Sequence, residues 1–265
     1  MIADDLSTEA IAAALTGSFG RELRVHDAIG STNDDALEWA AAGAPEGAAV
    51  TADQQTQGRG RWSRGWHSPP GRSISLSLVL RPDAEVAPLL TTVLGVAVAE
   101  ALEDAGGVTC GIKWPNDVVV DGRKVAGILV ESRSLGGCVE AVAGMGVNVS
   151  WSPDEMPEEI RAGATSLAAA GAGPLPRGPL IARILAAVED WYARARTPEG
   201  RAEVVAAAER RSTILGHSVL VRRSDGTLVE ATARGLRADG ALQVDAGGES
   251  FAVTAGEVAR IRTAE

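Results

Sequence analysis

The sequence has little cysteine, no apolar run long enough to span a membrane, and a deficit of positive charge. Its two cysteines, Cys110 and Cys138, form neither a CxxC pair nor a cysteine/histidine spacing, so buried free thiols are expected rather than a disulfide or a metal site. The first ten residues hold no Lys or Arg and no apolar run of secretory length, which predicts a cytoplasmic protein. A formal net charge of −10 argues against general affinity for DNA or anionic membranes.

Positive charge is concentrated in one glycine-rich stretch, QTQGRGRWSRGWHSPPG, from Gln55 to Gly71. Because Gly and Pro disfavour both helix and central strand, the stretch is predicted to be a long mobile connection, and such connections are usually functional. The guanidinium groups of Arg59, Arg61 and Arg64 suit anionic oxygens, and the glycines let backbone N–H groups approach a phosphate or carboxylate. The predicted ligand is a small anion or a nucleotide. The alternative is a solvated loop, or one that grips nucleic acid.

Hydrophobic periodicity predicts strands and helices both before and after this loop in the sequence. Together they predict a sheet covered by helices. Strands are predicted at 24–29, 48–54, 73–80, 112–114, 118–120, 125–130 and 138–149, and helices at 7–15, 33–42, 88–105, 179–196 and 199–211. Residues 73–80 alternate strictly between aliphatic side chains and mostly serines, which predicts a strand of a sheet exposed on one side. The helix at 88–105 is predicted to be the main cover of the sheet.

The pattern changes from Gly216 onward. Short alternating strands are joined there by Asp225-Gly226, Asp239-Gly240 and Gly247-Gly248 turns. This texture is typical of a small antiparallel barrel, and it places a domain boundary near Ser212. Because the segment has no aromatic platform or basic track for single-stranded nucleic acid, we expect it to serve docking or structure.

Hydroxyl and amide side chains follow the first predicted strand. In Gly30-Ser31-Thr32-Asn33, Ser31 or Thr32 can cap the helix that comes next, which would make the motif an ordinary helix start. The same placement puts hydroxyls and exposed N–H groups at a helix N-terminus, where a ligand can bind. The residues alone leave both interpretations open.

A second polar group lies in the stretch from Gly111 to Ser132, GIKWPNDVVVDGRKVAGILVES. Pro115 ends a strand abruptly, which gathers Lys113, Asn116 and Asp117 at its end. The Asp121-Gly122 pair between two valine-rich runs is a strong hairpin signal.

Two glycine interruptions follow that hairpin. Gly127 breaks an apolar run just after Lys124, and Gly144 and Gly146 do the same in the next strand, before Asn148. Such glycines suggest close approach of a ligand or of another backbone. The alternative interpretations are that Lys124 is a solvated lysine at a sheet edge and that Asn148 is an ordinary turn residue.

Five motifs occur in order: Ser31-Thr32-Asn33, GRGRWSRGW (58–66), KWPND (113–117), RKVAGIL (123–129) and GVNV (146–149). Together, and followed by a small barrel, they resemble the biotin protein ligases. The resemblance is specific over about 25–149 and looser beyond. It implies an α+β fold, in which a mixed sheet covered by helices (1–212, like class II synthetases and lipoate ligases) precedes an SH3-like barrel (213–265).

The resemblance also implies a reaction. Biotin's carboxylate attacks the α-phosphorus of ATP to give biotinyl-5′-AMP and pyrophosphate, and a lysine amine of a carrier domain then displaces AMP. The implied small molecules are biotin, ATP and Mg²⁺, with no metal held by protein ligands alone. The implied partner is the biotin carboxyl carrier domain of an acyl-CoA carboxylase such as acetyl-CoA carboxylase, with neither nucleic acid nor membrane. Cations must hold the repelling anions together and absorb charge in the transition state.

The family's site residues transfer onto this chain motif by motif. The implied biotin contacts are Ser31, Thr32, Asn33, Gln55, Gly58, Arg59, Gly60, Arg61 and Lys124. The implied ATP or adenylate contacts are Arg59, Arg61, Arg64, Trp66, Lys113, Asn116, Asp117 and Asn148. Catalysis is implied for Lys113, Arg59, Lys124 and Asp117, with Lys113 beside the α-phosphate. Asp117 has two open roles, orienting Mg²⁺ or accepting a proton from the incoming ammonium.

The chain departs from the family pattern in two places. Ser63 stands where a glycine is usual, so a backbone turn that needs a positive φ there would be strained or shifted. Only about two dozen residues precede Val25, too few for the helix-turn-helix domain of some members, so no DNA-binding role is expected.

Two alternatives remain beside the biotin ligase. One is a lipoate or octanoyl transferase of similar fold, and the other is a non-catalytic biotin-binding module. Under the leading hypothesis the glycine-rich stretch Gln55 to Gly71, called the arginine loop below, is a lid. It is poorly ordered without ligand and shields the bound, hydrolysable adenylate.

Overall fold

The computed structural model describes residues 6–135, 138–222, 227–254 and 258–261. The helices are α1 (Thr8–Ala14), α2 (Thr32–Ala41), α3 (Leu90–Gly106), α4 (Glu158–Arg161), α5 (Arg177–Ala195) and α6 (Pro198–Arg211). The strands are β1 (Leu23–Ile29), β2 (Ala49–Gln55), β3 (Ser73–Leu80), β4 (Gly111–Lys113), β5 (Asp117–Val120), β6 (Arg123–Leu135), β7 (Cys138–Asn148), β8 (Ser218–Arg222), β9 (Leu228–Leu236), β10 (Leu242–Ala246), β11 (Glu249–Val253) and β12 (Val258–Ile261). The predicted elements are confirmed to within two residues at their ends, except that β6 continues to Leu135.

The larger sheet has seven strands in the order β1-β2-β3-β7-β6-β5-β4. Strands β1 and β2 are parallel, whereas the other neighbouring pairs are antiparallel, so the sheet is mixed as expected. The predicted hairpin between β5 and β6 is confirmed, because Asp121 and Gly122 turn there with φ of 50° and 73°.

Helices cover both faces of this sheet. Helices α3 and α5 pack against each other, and their aliphatic side chains share one core with β3 residues such as Leu76 and Leu78. Helix α2 lies on the opposite face, where Ala36 and Ala40 pack against Val50 of β2. Residues 88–105 were expected to be the main cover of the sheet; in the structure α3 shares one face with α5, and α2 covers the other.

The expectation of an exposed serine face on β3 is wrong. All residues of β3 are buried, including Ser73, Ser75 and Ser77 at 1%, 2% and 0% exposure. Buried hydroxyls need hydrogen-bond partners, and neighbouring side chains supply them. Trp151 Nε1 donates to Ser73 Oγ at 2.7 Å, and Gln55 Nε2 donates to Ser75 Oγ at 3.2 Å.

The C-terminal strands form a separate antiparallel sheet of five strands, in the order β11-β10-β9-β8-β12. Positive φ values at Gly240, Gly247 and Gly248 confirm two of the predicted turns, whereas Asp225-Gly226 lies outside the described residues. The apolar core of this small barrel is built from its own side chains together with Trp114, which lies in the turn after β4.

Cys110 is a free, buried thiol, as predicted, and burial raises its pKa to about 12. The side chain of Cys138 lies outside the described set. No helix in the described part of the chain has the length and apolar character that crossing a membrane requires.

Candidate active site

The first part of the site is a polar network at the start of α2. Ser31 is the N-cap residue, but its side chain makes no capping hydrogen bond. Gln55 of β2 fulfils that role instead, because its Oε1 accepts from Thr32 N at 2.9 Å and from Thr32 Oγ1 at 3.0 Å. The buried Ser77 Oγ lies 2.8 Å from Thr32 Oγ1 and donates to Asn33 Oδ1 at 2.6 Å. The motif therefore fits both interpretations. It begins a helix, and the Ser31 side chain has no capping role that would keep it from a ligand.

Two carboxylates hold Arg59 next to this network. Arg59 Nη2 lies 2.5 Å from Asp34 Oδ1 and 3.1 Å from Glu131 Oε2. Glu131 also accepts from Asn33 Nδ2 at 2.7 Å, so it joins the arginine loop to the start of α2. Sequence reasoning missed both acids. Asp34 directly follows the Ser-Thr-Asn motif, and Glu131 follows the predicted strand 125–130, so proximity to recognised motifs was the available signal.

The glycine interruptions make room for side chains. A Cβ added at Gly144 would collide with the side chain of Asn33, and one added at Gly146 would collide with the ring of Trp66. Gly127 similarly faces the end of Lys124 and the Trp66 ring. Close approach of a ligand or of another backbone was predicted at these glycines, whereas the groups that approach them are side chains. The indole Nε1 of Trp66 is buried without a hydrogen-bond partner among the described residues, which leaves a donor available in the site.

The β4–β5–β6 side of the site contributes charge. Lys124 Nζ lies 2.6 Å from Asp117 Oδ1 and 5.5 Å from the centre of the Trp66 ring. Arg61 Nη1 donates to Asn116 Oδ1 at 3.2 Å. Burial lowers the pKa of Arg61, and the nearby Asp117 carboxylate partly opposes that effect. Lysines occur at only two positions in the chain, Lys113 and Lys124, and both belong to this region.

These groups surround an open cleft with about 480 Å³ of space, counted out to its mouth. Ten of the predicted site residues line it: Ser31, Thr32, Asn33, Gln55, Arg59, Gly60, Arg61, Trp66, Asn116 and Lys124. The remaining wall is largely apolar and includes Leu76, Ile128, Leu129 and Met145.

Five predicted residues lie outside that lining: Gly58, Arg64, Lys113, Asp117 and Asn148. Asp117 reaches the cleft through its ion pair with Lys124. Lys113 is exposed at the end of β4. Asn148 is buried, and its Nδ2 donates to Thr165 O at 3.0 Å. The roles of these residues stay predictions.

The arginine loop has more internal order than the pattern predicted. Arg59 and Gly65 form an isolated antiparallel bridge, and Gly60 N donates to Arg64 O at 2.7 Å. The segment Arg61–Ser63 forms a short 3₁₀ turn. The left-handed backbone falls on Trp62, with φ of 62°, instead of on Ser63, so the turn is shifted by one residue.

The loop, the cleft and the barrel agree with what the comparisons find. Residues 25–148 match the biotin/lipoate A/B protein ligase family. The Bacillus subtilis bifunctional ligase/repressor BirA is 42% identical over 180 residues, which are 67% of this chain and 55% of that protein. The chain thus spans about half the length of that relative. A Mycobacterium tuberculosis biotin–[acetyl-CoA-carboxylase] ligase is 35% identical over 253 residues, covering 93% of this chain and 91% of that one.

Among solved structures, a biotin protein ligase from Aquifex aeolicus in complex with biotin and ATP superimposes with a TM-score of 0.77. It is 26% identical, and the match covers 92% of this chain and 100% of that one. This chain shares with that ligase a mixed sheet covered by helices and followed by a small barrel, which places it in the same class of ligases. The chain belongs to the biotin/lipoate A/B protein ligase family, and within it to the biotin protein ligases.

Proposed function

We propose that this chain activates biotin with ATP to biotinyl-5′-AMP and transfers biotin to a lysine of a biotin carboxyl carrier domain. The observation that carries the proposal is the composition of the cleft. Its interior combines apolar walls with the polar start of α2, and the cations Arg59, Arg61 and Lys124 line it as well. A small acid with an apolar body, a polar ring and a carboxylate is complementary to that combination.

The polar start of α2 is the proposed seat of the ureido ring. Ser31, Thr32 and Gln55 offer hydroxyl, N–H and amide groups, and a buried ureido group left without partners would cost about 1–3 kcal/mol. The valerate chain would then lie along the apolar wall, with its carboxylate toward Lys124 and Arg61. The orphaned indole N–H of Trp66 is a further donor for this ligand.

In the proposed first step, a carboxylate oxygen attacks the α-phosphorus and the bond to pyrophosphate breaks. The cations hold two groups of like charge in line and stabilise the charge that builds on the phosphorus oxygens. Lys113 is proposed to act beside the α-phosphate, and Asn116, Asn148 and Arg64 on the nucleotide side. In the second step the carrier amine attacks the carbonyl carbon, AMP departs, and the amine loses a proton.

Asp117 is proposed to fix the ammonium group of Lys124, because the two are 2.6 Å apart. Bound Mg²⁺ would screen phosphate charge, and the ion usually needs only one or two carboxylates besides phosphate oxygens and water. The donor set near the cleft fits that requirement through Asp117. The described residues contain no group of three or more His, Cys, Asp or Glu side chains suited to a metal.

We further propose that the chain divides into a catalytic domain (1–212) and an SH3-like barrel (213–265), which the two separate sheets support. The proposed compartment is the cytoplasm, where ATP and acyl-CoA carboxylases are available. The carrier domain of such a carboxylase is the proposed partner.

The test is incubation of the protein with biotin, ATP, Mg²⁺ and a carrier domain, read out by pyrophosphate release and intact mass. We expect release that depends on biotin, and a carrier that gains one biotinyl group. Release with lipoate in place of biotin would favour the lipoate ligase, and binding of biotin without release would favour the non-catalytic module. Because the enzyme has lysine at two positions only, biotin on the enzyme itself is easily mapped.

We expect biotin plus ATP to protect the arginine loop from trypsin. Arg59, Arg61 and Arg64 are the cleavage sites, and an adenylate bound against them would order the loop and cover them. Cleavage rates measured by mass spectrometry, with and without the two substrates, test this. The exposed Arg237 in the barrel provides an internal control. Equal rates at the loop would contradict the lid.

A further inference from the structure

One tryptophan from the turn between β4 and β5 is buried in the core of the C-terminal barrel. Trp114 is 6% exposed and packs in a cluster with barrel residues that include Val219, Leu242 and Val244. Its indole Nε1 donates to the carbonyl of Gly240 at 2.9 Å. Of the described members of that cluster, Trp114 is the one that precedes Ser212. The barrel core is therefore completed by a side chain from the opposite domain.

Trp114 lies between site residues. Lys113 precedes it, and Asn116 and Asp117 follow within three positions. Asn116 Oδ1 accepts from Arg61 at 3.2 Å, and Asp117 Oδ1 pairs with Lys124 at 2.6 Å. The segment that carries the indole thus also carries the groups that contact two cations of the cleft.

The segment has little support within its own sheet. Strand β4 has three residues and lies at the edge of the larger sheet, where its partner is the four-residue β5. Short edge strands gain few ladder hydrogen bonds. Backbone contacts from the junction of the two proposed domains compensate for this, because Ile112 bridges to Ser212 and its carbonyl accepts from Thr213 N at 3.0 Å.

We infer that Trp114 is a positioning residue, through which the C-terminal barrel fixes the β4–β5 hairpin and with it Lys113, Asn116 and Asp117. The inference rests on the proposed function for its catalytic consequence. It gives the barrel a task in the adenylation step that needs no contact between barrel and substrate. A shift of about 1 Å in a positioned catalytic group can cost about 100-fold in rate.

The first experiment compares Trp114→Leu and Trp114→Phe with the wild-type chain. We expect Trp114→Leu to lower kcat for biotin-dependent pyrophosphate release by about 10- to 100-fold, while KM for biotin rises by a smaller factor. The start of α2, where the ureido ring is proposed to bind, does not depend on β4, so KM should change less than kcat. Trp114→Phe keeps an aromatic ring in the barrel core and should restore most of kcat.

Trp191 offers a matched control. It is 7% exposed, and its Nε1 donates to Glu100 Oε2 at 3.0 Å, so Trp191→Leu removes a similar burial and a similar hydrogen bond in the helical layer. We expect Trp191→Leu to lower the unfolding midpoint without lowering kcat. If Trp191→Leu lowers kcat as much as Trp114→Leu does, the inference is overturned. An unchanged kcat in Trp114→Leu would also overturn it. If Trp114→Leu does not fold, Leu242→Ala tests the same contact from the barrel side, with the same expected split of kcat from KM.

Hydrogen exchange separates this inference from the proposed function. In Trp114→Leu, amides of 111–120 should exchange at least about tenfold faster than in the wild type, whereas those of β2 should not change. That result would support the positioning role even if the wild-type chain released no pyrophosphate. Unchanged exchange at 111–120 would refute it whatever the enzyme's activity.

Discussion

Replacing Lys124 with methionine is expected to reduce biotin-dependent pyrophosphate release by about 100- to 1000-fold in kcat/KM, the usual cost of losing one donor to a developing charge. The ammonium group lies 2.6 Å from Asp117 and lines the cleft, so its loss also leaves the Asp117 carboxylate without this ion pair, close to the proposed position of biotin's own carboxylate. Two effects therefore add, a lost cation and a new repulsion. Steady-state kinetics with varied biotin and ATP measure the change.

The neighbouring Arg123→Met is the matched control for Lys124→Met. Arg123 begins the same strand and also carries a positive charge, but it does not line the cleft. We expect its activity to stay within about twofold of wild type. Full activity of Lys124→Met would refute the role proposed for this lysine.

Replacing Gln55 with leucine should raise KM for biotin about 10- to 100-fold, which corresponds to about 1.4–2.8 kcal/mol. Gln55 Oε1 is the acceptor for both the N–H and the hydroxyl of Thr32, so leucine would leave the Thr32 N–H without a partner beside the ligand, while the hydroxyl keeps Ser77 Oγ at 2.8 Å. An unsatisfied buried donor costs about 1–3 kcal/mol, and here it would also disturb the start of α2. Because the proposed role of Gln55 is to hold the ureido ring, kcat should change much less than KM.

Gln54 provides the control for Gln55→Leu. It precedes Gln55 on β2, and successive side chains of a strand point to opposite faces, so Gln54→Leu makes the same chemical change away from the cleft. We expect Gln54→Leu to leave KM for biotin unchanged. Thermal unfolding followed by circular dichroism reports whether either variant loses stability. A KM for Gln55→Leu equal to that of wild type would contradict the proposed seat of the ureido ring.

Much of the fold could be predicted because local patterns agree with the tertiary structure. The Asp121-Gly122 turn, the strands on either side of it and the start of α2 each follow from a few neighbouring residues. Serines on β3 were misjudged for a physical reason. Alternation tells which side chains share a face, but it does not tell whether a second layer covers that face.

The site divides in the same way. Gly144 and Gly146 indicated close packing from the sequence. Only the folded chain shows that the side chains of Asn33 and Trp66 occupy the space beside them. Glu131 was missed because it gains its importance from contacts with Asn33 and Arg59, which are 98 and 72 residues away in the chain.

The sequence by itself determined the order of the strands and helices, the turns, and the five motifs that carry the family resemblance, because each depends on residues close together in the chain. Only the tertiary structure decided which charges pair, which serines are buried, and that Trp114 completes the barrel core. Those outcomes depend on distances between residues that are far apart in sequence, and local pattern contains no information about such distances.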